Sequence, residues 1–230
     1  MEVLIALALS VLFAFALRKQ IKRYAVSFYI VAIAMDVLFL SQVLFGVSRE
    51  VAVAVYPYLT RCLLGFALFA VVMFIGALPE GSKAQRALMP IRGELSIIAA
   101  ILTIGHVANY LGAYLADILS GFVGMSAGMI ASFVVSSLLI VLLAALTVTS
   151  FNAVKMRMDA DAWKRLQKTA YAFFALTYVH LMLVLLPTVS SSGQRATFSI
   201  VVYSLVMAAY AALRMTTHMR SGKAKRGVAS

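Results

Sequence analysis

Residues 130–151 read IASFVVSSLLIVLLAALTVTSF, a run of 22 residues without a charged side chain. A helix of about 20 apolar residues is long enough to cross the hydrocarbon core of a bilayer, so this run predicts a transmembrane helix. Six further apolar runs lie along the chain, at residues 3–17, 24–47, 56–78, 95–114, 170–186 and 197–213. The pattern predicts an all-α, polytopic membrane bundle of about seven transmembrane helices.

The composition indicates the same class of protein. The 230 residues have a mean hydropathy of +0.99 and only 12 % of them are charged, whereas soluble domains usually contain about 25 % charged residues. The net charge of +12 does not indicate a nucleic-acid partner, because the basic residues form short clusters between the apolar runs. We expect a single membrane domain over residues 1–230, surrounded by the lipid bilayer.

The distribution of lysine and arginine predicts the orientation of the bundle. Seventeen of the 20 basic residues fall on one predicted side, at residues 18–23, 79–94, 152–169 and 214–230. The opposite side carries Arg49 and Arg195. Because cytoplasmic loops are enriched in lysine and arginine, we expect the N-terminus outside and the basic tail (214–230) in the cytoplasm. The expected location is the cytoplasmic membrane.

Two histidines lie inside predicted spans, where ionisable side chains are costly and usually functional. His106 is 12 residues beyond Glu94 and His180 is 12 residues beyond Lys168, each counted from the cytoplasmic end of its span. Both imidazoles are thus about 18 Å along parallel helices and could ligate one haem iron from its two faces. The alternatives are hydrogen-bonded packing residues or a proton relay, whereas zinc would need further ligands. The third histidine, His218, lies in the basic tail and is expected to be solvated.

Asp36 and Arg61 are the other ionisable residues within predicted spans. Asp36 is 12 residues beyond Tyr24 and is expected at about the level of the two histidines. Arg61 either extends to the outer surface, or pairs with a haem propionate or with Asp36. We favour a structural ion pair between the two residues over a role of Asp36 in protonating a quinone.

Two stretches of the chain resemble the motif helices of a known family. Residues 90–110, PIRGELSIIAAILTIGHVANY, are similar to an R-x-x-L-(small)-x(n)-H helix, and residues 163–182, WKRLQKTAYAFFALTYVHLM, to a W-x-x-L-(H/Q)-(R/K)-x-x-Y-x(n)-H helix. These helices are typical of the ferric-reductase-like transmembrane domain family, which includes the haem-binding membrane subunit of the bacterial periplasmic methionine sulfoxide reductase system. The resemblance covers roughly residues 56–213. It implies a core over about residues 24–213 that follows an extra N-terminal helix at residues 3–17.

The resemblance also implies a cofactor and its ligands. His106 and His180 would be the axial ligands of one haem b. With a haem at these ligands, Asn109, one turn after His106, is a candidate to hydrogen-bond a ligand or a propionate, or else a helix contact, and a propionate is one of the alternative partners of Arg61. Many relatives have a histidine at the position of Gln167, and this chain has no second intramembrane histidine pair, so a second haem is not expected.

The predicted function is electron transfer by a cytochrome b subunit rather than by a complete enzyme. The sequence contains no Gly-rich dinucleotide fingerprint. Electrons are therefore expected from quinol or from a cytoplasmic reductase, with quinone as a further candidate cofactor. A separate oxidoreductase outside the membrane would accept them.

The alternative function is a cofactor-free transporter or receptor that uses the intramembrane histidines and Asp36 as a polar pathway. Transporters often contain interrupted helices at their binding sites. The four prolines of this chain lie at the ends of predicted spans, so we expect no interrupted span. That expectation favours electron transfer.

Overall fold

Helices account for every regular element in the described part of the chain. The computed structural model describes the backbone of residues 1–43, 46 and 48–227, and the side chains of these residues except 192 and 220–227. In chain order the α-helices are α1 (Glu2–Ala16), α2 (Arg18–Arg23), α3 (Ala25–Leu40), α4 (Arg49–Thr60), α5 (Leu63–Ala77), α6 (Lys83–Leu88), α7 (Arg92–Leu119), α8 (Ala127–Val148), α9 (Asn152–Lys155), α10 (Ala160–Gln167), α11 (Thr169–Leu185) and α12 (Val189–Gly227). Short 3-10 turns at Met89–Ile91 and Leu186–Thr188 lead into α7 and α12. The prediction of an all-α chain is confirmed for these residues.

Several of these helices have the length and apolarity of membrane spans. Among the described residues four qualify: Lys83–Leu119, Ala127–Val148, Ala160–Ser191 and Gly193–Met219. The bent pair of α4 and α5 would make a fifth. Helices α1 and α3 are apolar but contain 15 and 16 residues, which is about 22–24 Å of helix against a hydrocarbon core of about 30 Å. The chain thus has the helices of a membrane protein, and the number of seven spans stays a prediction.

The predicted span at residues 56–78 is not one continuous helix. Pro57 lies inside α4, which ends at Thr60, and α5 begins at Leu63 with its axis bent by 47°. Cys62, between the two helices, has a left-handed backbone with φ of 53°, which few residues other than glycine adopt. The expectation of no interrupted span is therefore wrong. Proline lacks an N–H and clashes with the preceding turn, and α4 ends within one turn of it.

Two other predicted spans differ from the observed helices in smaller ways. The predicted span at residues 24–47 corresponds to α3, which ends at Leu40, and residues 44, 45 and 47 lie outside the described residues. The predicted span at residues 197–213 lies within α12, which is kinked at Gly193 and stays helical to Gly227. The basic tail is thus helical over most of its length.

Helix α5 forms the centre of the bundle. Eleven of its 15 residues are buried, and it packs against α1, α7, α12 and α4. Helix α3 packs along α7, while α8 and α11 pair with each other. A small apolar cluster of Ala100, Leu143 and Phe173 joins α7, α8 and α11. This cluster fixes the relative heights of the helices that carry the two intramembrane histidines.

Candidate functional site

His106 contacts the break between α4 and α5. Its Nδ1 is 2.7 Å from the carbonyl oxygen of Thr60, the last residue of α4. A carbonyl oxygen only accepts hydrogen bonds, so Nδ1 carries the proton and Nε2 keeps its lone pair. In a continuous helix the Thr60 carbonyl would accept from the amide four residues later. The break leaves this carbonyl without that partner, and the imidazole takes its place.

His180 is held by two serines of α8. Its Nδ1 is 3.2 Å from the Oγ of Ser132 and 3.1 Å from the Oγ of Ser136. The Ser136 hydroxyl donates to the Ser132 carbonyl at 2.8 Å, so its oxygen is left to accept from the Nδ1–H of His180. With the ring proton on Nδ1, the Nε2 of His180 keeps its lone pair. Within the described part of the chain, neither Nε2 has a hydrogen-bond partner.

Helices α7 and α11 run in the same direction because α8 is antiparallel to both. The end of α8 contacts the start of α7 through the hydroxyls of Ser150 and Ser96, 3.1 Å apart. On the other side, Gln167 donates to the Thr149 hydroxyl at 3.2 Å, while the start of α8 reaches His180. Gln167, at whose position many members of the resembled family have a histidine, therefore makes a polar contact at the helix ends.

The apolar cluster places the two imidazoles at a similar height on their helices. His106 is six residues beyond Ala100, and His180 is seven residues beyond Phe173, its partner in the apolar cluster. These offsets correspond to about 9–10 Å along each helix. The offsets agree with the prediction that the two histidines lie at one level on parallel helices, and their joint ligation of a haem stays a prediction.

Asp36 of α3 lies beside the helix that carries His106. Its side chain is only 7 % exposed, and its carboxyl group occupies the space where a Cβ at Gly105 would lie. The Gly105 amide is close enough to interact with the carboxyl group, but Oδ1 has no hydrogen-bond partner among the described residues. Because Gly105 precedes His106, the prediction that Asp36 lies at the level of the histidines is confirmed.

Arg61 does not pair with Asp36. Its Nη1 is 2.8 Å from the Oε2 of Glu2, and the two side chains are 60 % and 44 % exposed. The predicted ion pair with Asp36 is therefore wrong, because Arg61 follows the end of α4 and extends to the surface beside α1. Arg61 is still close enough to Tyr110 to interact electrostatically. It thus lies on the same side of the bundle as His106.

The surroundings of His106 include one further predicted residue. Asn109 is half-buried one turn later in α7, and its side chain forms no hydrogen bond within the described residues. Tyr110 packs against the imidazole, with ring centroids 4.8 Å apart. The side-chain amide of Asn109 therefore lies close to His106 and has no hydrogen-bond partner among the described residues.

Sequence reasoning missed three groups that support the histidines: the Thr60 carbonyl and the hydroxyls of Ser132 and Ser136. The two serines had a signal, because they are polar residues four positions apart on one face of an apolar run. The Thr60 carbonyl had no sequence signal, since it is a backbone group that every residue carries. Pro57 and Arg61 within the same run were the indirect signs of the break.

His106 and His180 are the residues of this site that could hold a haem iron as axial ligands. Among the described residues, no group of three or more His, Cys, Asp or Glu side chains is placed to hold a metal ion. A haem iron receives four ligands from its macrocycle and takes only its axial ligands from the protein. His106 and His180, each with a free Nε2, are two neutral imidazoles of the required kind.

Comparison with known proteins adds one relative. An uncharacterised protein of Treponema pallidum (strain Nichols) is 38 % identical over 203 residues, which is 87 % of this chain and 56 % of the relative. The chain thus spans little more than half the length of that relative. No protein-family model matches the sequence, and no solved structure is similar to it.

Proposed function

We propose that this chain binds one haem b between His106 and His180 and transfers electrons as a membrane subunit of an oxidoreductase system. The observation that carries the proposal is the hydrogen bonding of both Nδ1 atoms. It leaves the Nε2 of each histidine available as a metal ligand. Histidines that ligate metals usually donate their other ring N–H to a carbonyl or a similar acceptor. The resemblance to the ferric-reductase-like transmembrane family points to the same two residues.

Each part of the site has a separate task in this proposal. The Thr60 carbonyl fixes the tautomer and the ring orientation of His106, and the hydroxyls of Ser132 and Ser136 hold the ring of His180. The haem, when bound, supplies the one-electron chemistry, and the protein supplies its ligands and its dry surroundings.

Arg61 and Asn109 are the candidates for contact with the haem propionates. Arg61 lies near Tyr110 on the side of His106, and the Asn109 amide has no other described partner. A propionate that binds Arg61 would compete with Glu2, its present partner at 2.8 Å. Because that ion pair is exposed, exchanging it for another carboxylate costs little free energy.

The wider arrangement belongs to the same proposal. We assign seven spans in the cytoplasmic membrane, with the N-terminus outside and the C-terminus in the cytoplasm, from the apolar runs and the 17 basic residues on one side. The donor is a quinol or a cytoplasmic reductase, and the acceptor is a separate oxidoreductase outside the membrane.

The decisive experiment is a dithionite-reduced minus oxidised absorption spectrum of the purified chain after expression with added haem precursor. A low-spin b-type spectrum is expected. His106→Ala and His180→Ala should each abolish low-spin ligation, whereas His218→Ala should keep it, because His218 is exposed and far along α12. The absence of a b-type spectrum in the unmodified protein, even after haem is added to the purified chain, would refute the proposal.

A cofactor-free transporter is the second candidate, and one observation favours it. The break at Arg61 and Cys62 interrupts a predicted span beside His106, and transporters often bind their substrates at such breaks. Asp36 would add an acidic group at the same level. A colourless preparation that catalyses proton-dependent flux into liposomes, lost in Asp36→Asn, would favour this function over electron transfer.

A further inference from the structure

A second polar site lies at the end of the bundle where α7 begins, well away from the histidines. A cavity of about 420 Å³ that is open to the surface lies between α2, α6 and the turn that precedes α7. The cationic side chains that line it are Arg18, Lys19, Lys22 and Arg86. Its remaining lining is apolar and consists of Ala87, Pro90 and Ile91. The cavity thus combines concentrated positive charge with an apolar floor.

Helix α2 is fixed so that its basic residues remain close together. Ile21 is fully buried and anchors the helix to the core, while the side chains of Arg18 and Lys22 stay exposed four positions apart. Like charges at this spacing destabilise a helix. The arrangement therefore favours a bound anion, which would offset the repulsion.

Most of this charge lacks a carboxylate partner. Lys22 is the exception, since its Nζ is 3.2 Å from Glu94 Oε1 and 3.0 Å from the Pro90 carbonyl oxygen. Among the described residues, no carboxylate forms an ion pair with Arg18, Lys19 or Arg86. Three of the four positive charges at the cavity are thus uncompensated.

Exposed apolar residues of α1, which precede the basic residues of α2 along the chain, indicate what kind of anion the cavity takes. Val11 and Leu12 of α1 lie two turns before Arg18 and Lys19 and are 45 % and 63 % exposed. In a membrane protein such a surface faces acyl chains. A ligand with a phosphate at the cavity and an apolar tail along α1 would match both parts.

We propose that the cavity lined by Arg18, Lys19, Lys22 and Arg86 binds the phosphate head group of an anionic phospholipid whose acyl chains run along α1. Basic pockets between helices at the cytoplasmic surface suit such lipids, because anionic lipids are enriched in that leaflet. The site is independent of the haem proposal, since it shares no residue with the histidine site.

The test uses the full chain in detergent and native mass spectrometry with phosphatidylglycerol or phosphatidylcholine. The protein is expected to retain phosphatidylglycerol in preference to phosphatidylcholine. The variant Lys19→Gln/Arg86→Gln should bind phosphatidylglycerol about 30-fold more weakly, since each basic residue near an anionic head group contributes roughly fivefold. Lys164→Gln/Arg165→Gln, which removes two positive charges from α10, should keep the affinity within about twofold of the original.

Three results would overturn the assignment. The first is an equal loss of affinity in both double variants, which would indicate unspecific attraction. The second is equal retention of the two lipids. The third is displacement of phosphatidylglycerol by millimolar inorganic phosphate, which would indicate a site for a small anion. Melting temperatures in phosphatidylcholine nanodiscs check folding, and if the double variant unfolds, the single variant Arg86→Gln should weaken binding about fivefold.

Discussion

The carboxyl group of Asp36 fills the space beside Gly105 that a larger residue would need for its Cβ. The two residues lie on α3 and α7, which pack along each other. Glycine at position 105 thus allows a buried acidic side chain to lie directly against the backbone of the helix that carries His106. The same contact fixes the position of His106 relative to α3.

Gly105→Ala is expected to destabilise the protein by about 1–3 kcal/mol, because the new methyl group would overlap the Asp36 carboxyl group in a packed interface. Thermal unfolding in detergent measures the effect. The matched control is Gly112→Ala in the same helix, where no atom lies within 4 Å of the added Cβ. Alanine favours the helix there, so the control should be neutral or slightly stabilising.

The double variant Asp36→Ala/Gly105→Ala tests the cause of this loss. Removing the carboxyl group makes room for the methyl group, so the double variant should be more stable than Gly105→Ala alone. Equal stabilities would show that the overlap with Asp36 is not the origin of the effect.

Ser132→Ala/Ser136→Ala is expected to lower the affinity for haem by about 10–100-fold, because ligand histidines that lose the partner of their other ring nitrogen bind metals more weakly. Titration of the purified apoprotein with haem, followed by absorbance, measures the affinity. Ser137→Ala is the control, since the Ser137 hydroxyl bonds to the Phe133 carbonyl of its own helix. If both variants bind haem like the original, the serines do not orient His180.

The ion pair between Glu2 and Arg61 should contribute little to stability. Both side chains are largely exposed, and pairs of this kind contribute less than about 1 kcal/mol. A double-mutant cycle with Glu2→Gln and Arg61→Gln, followed by thermal unfolding, gives the coupling energy. A coupling energy well above this limit would mean that the pair is buried within the folded protein in the membrane.

Arg214→Gln should destabilise the protein by about 1–3 kcal/mol. The guanidinium group donates to the Gly76 carbonyl at 3.1 Å and lies over the Tyr171 ring, 5.1 Å from its centroid. Losing a charged donor leaves the carbonyl at the end of α5 without its partner. Arg195→Gln, at an exposed site of the same helix, should change stability by less than about 0.5 kcal/mol. Equal effects of the two substitutions would contradict this role of Arg214.

The helices that sequence reasoning located well are those with long uncharged runs. The run at residues 130–151 corresponds to α8, and the run at 95–114 lies wholly inside α7. Counting residues from the predicted helix ends placed Asp36 at the level of His106, since a helix rises by a constant 1.5 Å per residue. Periodic and local features of the chain were therefore predictable.

The features that were missed depend on tertiary contacts or on the path of the backbone. The partner of Arg61 proved to be Glu2 rather than Asp36, because residues far apart in sequence meet only once the helices pack. The left-handed Cys62 has no sequence signature, since this conformation is normally marked by glycine or asparagine. Pro57 indicated a possible irregularity, but its position alone did not distinguish the end of a helix from a bend within a span.

The acceptor that Thr60 offers to His106 is a backbone atom, so the contact depends on the path of the chain and not on the side chain at position 60. Because the acceptor is a main-chain oxygen, every residue at position 60 offers the same atom, and a substitution scan across that position would not reveal its importance. The contact depends instead on the 47° bend between α4 and α5. Changes that straighten this region would turn the imidazole without altering any residue that touches it.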